Sequence, residues 1–302
     1  MLQLENFYQQ CYLDFCQNIY QDTNEECKQD QVKKLSQLLF KQIEKRRSSL
    51  AEGNLLYAID KTIWTDTIEH IDEPHFCINS KKEIIKGLHL KNSVFGTYNI
   101  AINLLKPFVE DINNREHRPA RILEIGSGLG KLTFALYEKA CETSMDINLT
   151  GSDIVPEYVK SAIKEAHEKK LNIDFKVIDA FNLDQLEPNS FDIIFNLHGM
   201  HHFSPEHLSM IMSGSQRVAT KAFIGLDAYR GFGNLFFMIT TGALASLWNW
   251  DFSLFHDSAI SGRKMYSAKQ LEIMAKIGCR NSTIITERLW PGLTAIKILT
   301  NK

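Results

Sequence analysis

The chain has 302 residues, of which 44% are hydrophobic and 23% charged, the balance of a folded globular protein with one large domain or two modest ones. A formal net charge of −2 disfavours a broad surface for nucleic acid or anionic membranes. The six cysteines include no C-x-x-C pair, which disfavours a zinc or redox centre and predicts reduced, packed thiols.

The first third of the chain shows helical periodicity without recognisable chemistry. Its acidic N-terminus lacks the apolar core of a secretory signal, so we expect a cytoplasmic protein. Apolar residues recur at helical spacing in residues 35–43, and a further helix is predicted from about Ser93 to about Glu110, where Pro107 kinks it or ends it early. We interpret residues 1–95 as an N-terminal helical cap that belongs to the substrate region.

Beyond Pro119, short apolar runs alternate with helix-like segments, which predicts a parallel sheet with helices on both faces. The strand-like runs are Arg121–Ile125, Ile147–Ser152, Ile173–Ile178, Phe191–Leu197, Ala222–Leu226, Ser282–Glu287 and Leu293–Leu299. A turn joins the last two runs, which is typical of an antiparallel hairpin. Residues 96–302 are therefore predicted to form an α/β domain with a seven-stranded, mostly parallel sheet and an antiparallel last strand.

An uncharged segment between Arg230 and Asp251 approaches the length of a membrane span. A crossing there would separate strands that must share one sheet, so we reject the span. We expect instead a lid insertion over about residues 228–265, with an apolar pocket. The aromatic residues expected to face ligand are Phe236, Phe237, Trp248 and Trp250. The alternative, that they only pack the cap against the sheet, stays open.

The most informative motif is a strand followed by a glycine-rich turn and a helix start. Gly126, Gly128 and Gly130 allow a sharp turn and a close approach of ligand to the backbone, and the following helix offers free amide donors. Asp153, at the tip of the second strand, is well placed to accept hydrogen bonds from two ribose hydroxyls. A nicotinamide site is disfavoured because the third glycine of G-x-G-x-x-G would fall at Lys131.

In these motifs the chain resembles the class I S-adenosylmethionine-dependent methyltransferases, over roughly residues 119–302. The family's first motif matches Glu124–Gly130, its ribose-binding acid matches Asp153, and its third-strand acid matches Asp179. Its fourth-strand motif matches Phe191–Phe203, and its antiparallel final strand matches the terminal hairpin. The resemblance implies a Rossmann-like fold, S-adenosylmethionine as cofactor and S-adenosylhomocysteine as product.

The resemblance also implies a role for individual residues. Glu124 would contact the methionine end of the cofactor, Asp153 would hold the ribose, and Asp179 would face the adenine. The cofactor site expected from the family comprises Glu124, Gly126, Ser127, Gly128, Gly130, Asp153, Ile154, Asp179, Ala180, Asn196 and Leu197. Asp192 is interpreted as structural, because it lies at the start of its strand, opposite the ligand crevice.

Histidines after the fourth strand are the candidates for a general base. Imidazole titrates near neutral pH, so His198 or His201 could remove a proton from an acceptor oxygen or nitrogen. In related sequences such paired histidines mostly support the loop, and this structural reading stays open. No metal is expected, because adjacent residues such as His201 and His202 cannot easily direct two side chains to one tetrahedral ion.

The acceptor is the least defined part of the prediction. The polar candidates around the expected pocket are Asp227, Tyr229, Trp248, His256, Arg263 and Tyr266. The neutral charge and the apolar insertion favour in-line methyl transfer to a small, hydrophobic acceptor. A protein or nucleic-acid methyltransferase would predict a basic surface or an N-P-P-Y/F signature, whereas Asn196 is followed by Leu197 and His198. A non-catalytic cofactor-binding protein is the third hypothesis, and the oligomeric state is left open.

Overall fold

The computed structural model describes residues 2–19, 29–249 and 252–301. The chain first forms helices α1 (Leu2–Ile19), α2 (Gln29–Ala51), α3 (Leu55–Ile63), α4 (Ile78–Val94) and α5 (Thr97–Glu116). The alternating part comprises β1 (Ala120–Ile125), α6 (Lys131–Thr143), β2 (Ile147–Asp153), α7 (Pro156–Glu168), β3 (Asp174–Val177), β4 (Phe191–Leu197), α8 (Pro205–Val218) and β5 (Ala219–Ala228). It ends with α9 (Phe232–Asn249), α10 (Ser253–Lys264), α11 (Ala268–Gly278), β6 (Thr283–Leu289) and β7 (Leu293–Leu299).

The described residues form one seven-stranded sheet in the order β3-β2-β1-β4-β5-β7-β6. Strands β1 to β5 pair in parallel, and β7 runs antiparallel to both of its neighbours, β5 and β6. The predicted fold class, a mostly parallel sheet with an antiparallel last strand, is confirmed. The strand order reverses between β1 and β4, and in such sheets ligands bind in the crevice beyond the carboxyl ends of those strands.

The sheet separates two apolar layers, and the N-terminal helices add a third. On one face α5 and α6 bury side chains such as Leu105 against β1 and β4. On the other face α8 and α11 cover the sheet, with Met274 among the fully buried residues. Helices α1 and α2 then pack on α11, where Phe15 and Leu39 contact Ile273 in a shared cluster. These two helices therefore lie on the back of the domain and extend its core.

The region between α4 and α5 differs from the predicted single helix. Two helices meet at Phe95 and Gly96, and Gly96 adopts a left-handed φ of 68° that ends the helical path of α4. Pro107 lies inside α5 without ending it. Its ring is on the exposed side of the helix, where the carbonyl of Asn103 that loses its donor can bind water.

The insertion at about residues 228–265 forms the antiparallel pair α9 and α10. The two helices approach closely at glycines: a Cβ on Gly242 would lie 2.8 Å from Cβ of Ser258, and one on Gly262 would lie 2.9 Å from a methyl carbon of Leu235. None of the described helices is long and apolar enough to cross a membrane. The side chain of Trp248 and all of Trp250 lie outside the described residues, so their expected role is not addressed.

Asp192, at the amino end of β4, is fully buried and forms the centre of an ion-pair network with two partly exposed arginines. Its carboxylate accepts from the guanidinium groups of Arg118 (2.6 and 2.9 Å) and Arg121 (2.8 and 3.2 Å), from the Arg121 backbone N–H and from Thr220 Oγ1 (2.7 Å). Burial opposes ionisation, but these donors outweigh it and hold the pKa of Asp192 far below its usual range. The network joins the starts of β1, β4 and β5.

Replacing Asp192 by Asn should lower the free energy of unfolding at pH 7 by about 3 kcal/mol, because two arginines lose a buried counter-charge. A lowered pKa stabilises the fold above the unfolded value, near 3.9, and this contribution is lost as the pH falls through the folded value. The difference between wild type and variant in urea unfolding should therefore shrink below about pH 4. Glu142→Gln, which removes an exposed helix pair with Lys139, is the control and should cost under about 0.5 kcal/mol. A loss that small for Asp192→Asn would contradict the network's role.

Candidate functional site

The turn after β1 has the geometry of a ligand cradle. Gly126, Gly128 and Gly130 have φ values of 68°, 55° and 71°, a left-handed conformation that side chains disfavour. A Cβ on Gly130 would also lie 2.6 Å from the Phe175 ring. Backbone conformation and packing therefore both require glycine at the start of α6, where free amide groups face the crevice.

Two buried carboxylates flank this turn. Asp153, at the end of β2, accepts from the backbone N–H groups of Gly128 and Val155, both at 2.9 Å. Burial raises the pKa of Asp153 in spite of these donors. Glu124, in β1, accepts a short hydrogen bond from Thr133 Oγ1, and its burial raises its pKa to about 7. Both acids thus carry a cost of burial that a cationic or hydrogen-bond-donating ligand would reduce.

Two polar atoms at the turn have no hydrogen-bond partner within the described chain. Asn196, at the end of β4, donates from Nδ2 to the carbonyl of Ile125 (2.8 Å), while its buried Oδ1 accepts nothing. The Oγ of Ser127 is likewise buried without a partner. Because buried polar groups in proteins are nearly always paired, these atoms indicate a place for a polar ligand.

The outer end of the crevice offers an apolar surface next to a capped acid. Ile154 follows β2 directly and is 58% exposed. On the neighbouring strand β3, Val177 pairs with Asp153, and Asp179 follows two residues later. The Asp179 carboxylate accepts from Phe181 N (2.9 Å) and Asn182 Nδ2 (2.8 Å). Asp179 therefore caps the short helical turn Ala180–Gln185 and lies on the same sheet edge as Asp153.

The chain leaves β4 through a histidine loop held by a buried aspartate. His198 has a left-handed φ of 51°, which turns the loop back toward β5. Its Nδ1 lies 3.3 Å from Asp227 Oδ1, and Nδ1 of His201 lies 2.9 Å from Asp227 Oδ2. Burial opposes ionisation of Asp227, but His201 and His198 outweigh it and hold its pKa far below its usual range. The ionised Asp227 thus orients both imidazoles.

A second group of charges surrounds His202. Its Nδ1 lies 2.7 Å from Asp72 Oδ2 and 3.9 Å from Glu69 Oε1. Burial disfavours the charged imidazole, but Glu69 and Asp72 outweigh it and raise the pKa of His202 to about 9. Glu69 also accepts from Ser261 Oγ (2.5 Å) and lies 3.8 Å from Lys264 Nζ. Sequence reasoning missed Glu69 and Asp72, since the loop between α3 and α4 carries no motif.

A cavity enclosing about 830 Å³, part of it open to solvent, adjoins the histidine loop. Its walls come from the loop after α3, from α4, α9 and α10, and from the turn before β7. The lining is mainly apolar and includes Ile84, Leu88, Phe95, Phe237, Met238 and Met265. His198, His201 and His202 line the same cavity, and His198 follows directly after Asn196 and Leu197 of the glycine-turn crevice.

The residues expected from sequence to surround the acceptor pocket do not all meet there. Phe237 lines the cavity, whereas Phe236 points outward with 70% of its surface exposed. Asp227 lies behind the histidines rather than in the wall. Tyr266 is buried in the core, where its hydroxyl donates to the Phe203 carbonyl (2.7 Å), because the chain after α10 returns to the sheet.

The other polar candidates also have structural contacts. Arg263 donates to the Ile63 carbonyl (2.7 Å), and together with His256 it lines a different cavity. Tyr229 packs against the guanidinium of Arg288, whose carbon lies 5.5 Å from the ring centroid. None of these three residues lines the cavity that the histidines line. Trp248, the remaining candidate, has no described side chain.

Two groups in the described residues place potential metal ligands within 4.8 Å of one another. In the group of Glu69, His201 and His202, the Lys264 ammonium already faces the Glu69 carboxylate. The second group consists of His70, His256 and Asp257. The imidazole rings of His70 and His256 are stacked, with an angle of 12° between their planes. Their nitrogen lone pairs therefore lie in nearly parallel planes and do not converge on one ion.

Comparison with known proteins gives one family match, to a methyltransferase domain over residues 122–221. A demethylmenaquinone methyltransferase of Deinococcus radiodurans is 32% identical over 88 residues, which is 29% of this chain. The aligned part spans only 34% of that relative.

Solved structures share the fold at low sequence identity. The plantazolicin methyltransferase BamL, in complex with a triazolic desmethylPZN analog and SAH, superposes with a TM-score of 0.55 at 16% identity, over 74% of this chain and 91% of that one. Magnesium protoporphyrin IX methyltransferase from Synechocystis PCC 6803 gives a TM-score of 0.46 at 15% identity, over 80% and 92% of the two chains. The strand order and the glycine turn agree with the family match, which identifies residues 122–221 as a methyltransferase domain.

Proposed function

We propose that the protein transfers a methyl group from S-adenosylmethionine to a small, largely apolar acceptor. The observation that carries this proposal is the junction of two spaces at one loop. The crevice at the glycine turn ends at Asn196 and Leu197, and the next residue, His198, lines the apolar cavity. A cofactor in the crevice and an acceptor in the cavity would thus meet at the histidine loop.

The residues at the crevice fit the cofactor. Its sulfonium supplies an already activated methyl group, so the protein mainly has to position the two reactants. Asp153 offers carboxylate oxygens for the ribose hydroxyls, and the unpartnered oxygens of Asn196 and Ser127 can receive donors from the methionine end. We assign the buried Glu124 carboxylate to the same cationic end, where an ammonium would offset its burial.

The cavity suits a small molecule better than a polymer. Its walls are mainly apolar with a few polar groups, the lining that is typical of small-ligand pockets. We propose that residues 1–95 and the insertion at about 228–265 together form the acceptor region. Their contributions come from Glu69–Phe95 and from α9 and α10.

The histidine loop can remove a proton where the acceptor carries one. With Nδ1–H of His201 donated to Asp227, the other ring nitrogen, Nε2, is the proton acceptor, and it lies 3.8 Å from Glu69 Oε1. His198 is more exposed and shares the same aspartate. We propose His201 or His198 as general base, with Asp227 as the residue that positions it and stabilises its charged form.

Cofactor binding is tested by calorimetric titration with S-adenosylmethionine and S-adenosylhomocysteine. Replacing Asp153 by Asn should weaken binding by about 1–3 kcal/mol, because a charged acceptor for hydroxyl groups is lost. Asp146→Asn, which changes an exposed acid just before the same strand, is the matched control and should bind like the wild type. The absence of heat with either ligand in a folded wild-type sample would refute the proposed function.

The pKa of Glu124 predicts a pH dependence of cofactor affinity. The ionised carboxylate attracts the cofactor's ammonium, and a pKa of about 7 means that this form is scarce at pH 5.5 and abundant at pH 7.5. Affinity should therefore rise on the order of tenfold over this interval. Glu124→Gln cannot titrate and should bind with weak affinity that barely changes. A steep rise that persists in the variant would assign the titration to another group.

The cavity is tested by filling it. We expect the wild type to transfer labelled methyl groups from S-adenosylmethionine to an acceptor present in an organic extract of small metabolites. Leu88→Trp places a large ring in the cavity and should abolish transfer, while the affinity for S-adenosylhomocysteine is retained. Leu90→Trp is the control, since Leu90 lies on the same helix but is 65% exposed. Wild-type transfer by Leu88→Trp would show that the acceptor binds elsewhere.

A further inference from the structure

A lysine interrupts the apolar stripe that α4 presents to the cavity. Ile84, Leu88, Lys91 and Phe95 follow one another at helical spacing and all line the cavity. A lysine at a helix surface usually extends into water, whereas here the side chain takes a position that apolar residues fill above and below it. The placement suggests a function for its charge inside the cavity.

The Lys91 ammonium has no carboxylate within ion-pair distance among the residues that the structure describes. The ammonium lies over the face of the Phe237 ring, with 5.8 Å between Nζ and the ring centroid. Burial lowers the pKa of Lys91 to about 8, as expected for an ammonium removed from water without a counter-charge.

The acidic groups around the cavity are already engaged with other partners. Asp257 accepts from the backbone N–H groups of His70 (2.8 Å) and Ile71 (3.1 Å). Glu69 accepts from Ser261 through Oε2; its Oε1 accepts no hydrogen bond but lies 3.8–3.9 Å from His201, His202 and Lys264. Both acids thus face other groups, and neither forms an ion pair with Lys91 among the described residues.

We propose that the acceptor carries an anionic oxygen group, such as a carboxylate or phenolate, on an apolar body, and that Lys91 binds this group. This inference rests on the proposed function, because it takes the cavity as the acceptor site. An anion from the ligand would supply the counter-charge that the protein lacks, and the surrounding side chains would exclude the water that competes for it. Lys91 on α4 and the histidines after β4 then fix two different points of the acceptor, which orients it for the in-line reaction.

A matched pair of dyes tests the charge without knowledge of the acceptor. 1-Anilinonaphthalene-8-sulfonate is anionic, and N-phenyl-1-naphthylamine is the same body without the sulfonate. Each dye is titrated into the protein in the presence of saturating S-adenosylhomocysteine, and its fluorescence is measured. The part of the fluorescence that is lost in Leu88→Trp is assigned to dye bound in the cavity. Lys91→Met should weaken cavity binding of the anionic dye roughly tenfold and leave the neutral dye unchanged, whereas Lys91→Arg should retain both. Lys86→Met, which changes an exposed lysine paired with Glu83 on the same helix, should behave like the wild type.

The pH dependence provides a second readout of the same group. Wild-type affinity for the anionic dye should fall between pH 7 and 9.5 as Lys91 loses its proton, and Lys91→Arg should flatten this fall. The other titratable groups in the cavity wall are Glu69, Asp257, His198, His201 and His202. A fall in affinity that remains in Lys91→Arg would be assigned to His202, whose pKa is about 9.

The outcomes separate this inference from the proposed function. Equal losses for both dyes in Lys91→Met, unchanged binding of both, or no cavity-bound anionic dye in the wild type would overturn the role of Lys91. Calorimetry with S-adenosylhomocysteine on the same samples tests the cofactor site independently. A wild type that fails to bind it refutes the proposed function, whereas normal binding beside a negative dye result refutes the Lys91 inference alone.

Discussion

The buried carboxylate of Asp227 is the constraint on which the ligand side of the molecule depends. It stands at the end of β5, fully surrounded by protein, and remains ionised because two imidazoles and backbone N–H groups of His201 and Ala228 satisfy it. The loop after β4 is thereby fixed to the neighbouring strand. Since that loop closes the cofactor crevice on one side and walls the cavity on the other, the spacing between the two follows from this one group.

The sequence was sufficient to predict the sheet and the glycine turn, because the signals there are local. A glycine with positive φ, a strand-end acid such as Asp153 and the alternation of strands and helices each depend on a few neighbouring residues. The same reasoning predicted a structural Asp192, and the ion-pair network at the amino end of β4 agrees with it.

The cavity could be predicted only in outline, because its walls come from segments far apart in sequence. Phe237 was expected to face ligand, and it lines the cavity. Tyr266 and Arg263 were expected near the same pocket, but their polar groups donate to backbone carbonyls elsewhere in the fold. Glu69 and Lys91 belong to a region whose helices looked featureless. Nothing local marks such residues, since their role depends on which distant helix packs opposite them.

The close contact between α9 and α10 has a mechanical consequence. Glycines let the two helices interlock, and Asp257 on α10 holds the backbone of His70 and Ile71 through charge-assisted hydrogen bonds. Those parts form one stiff wall. Toward α4 the wall is joined by apolar contacts: Phe237 meets Phe95 edge to face at 5.1 Å, worth about 0.5–1.5 kcal/mol, and Leu254 on α10 packs against Gly87. The cavity therefore lies between a wall fixed by buried hydrogen bonds and a helix, α4, that apolar contacts hold against it.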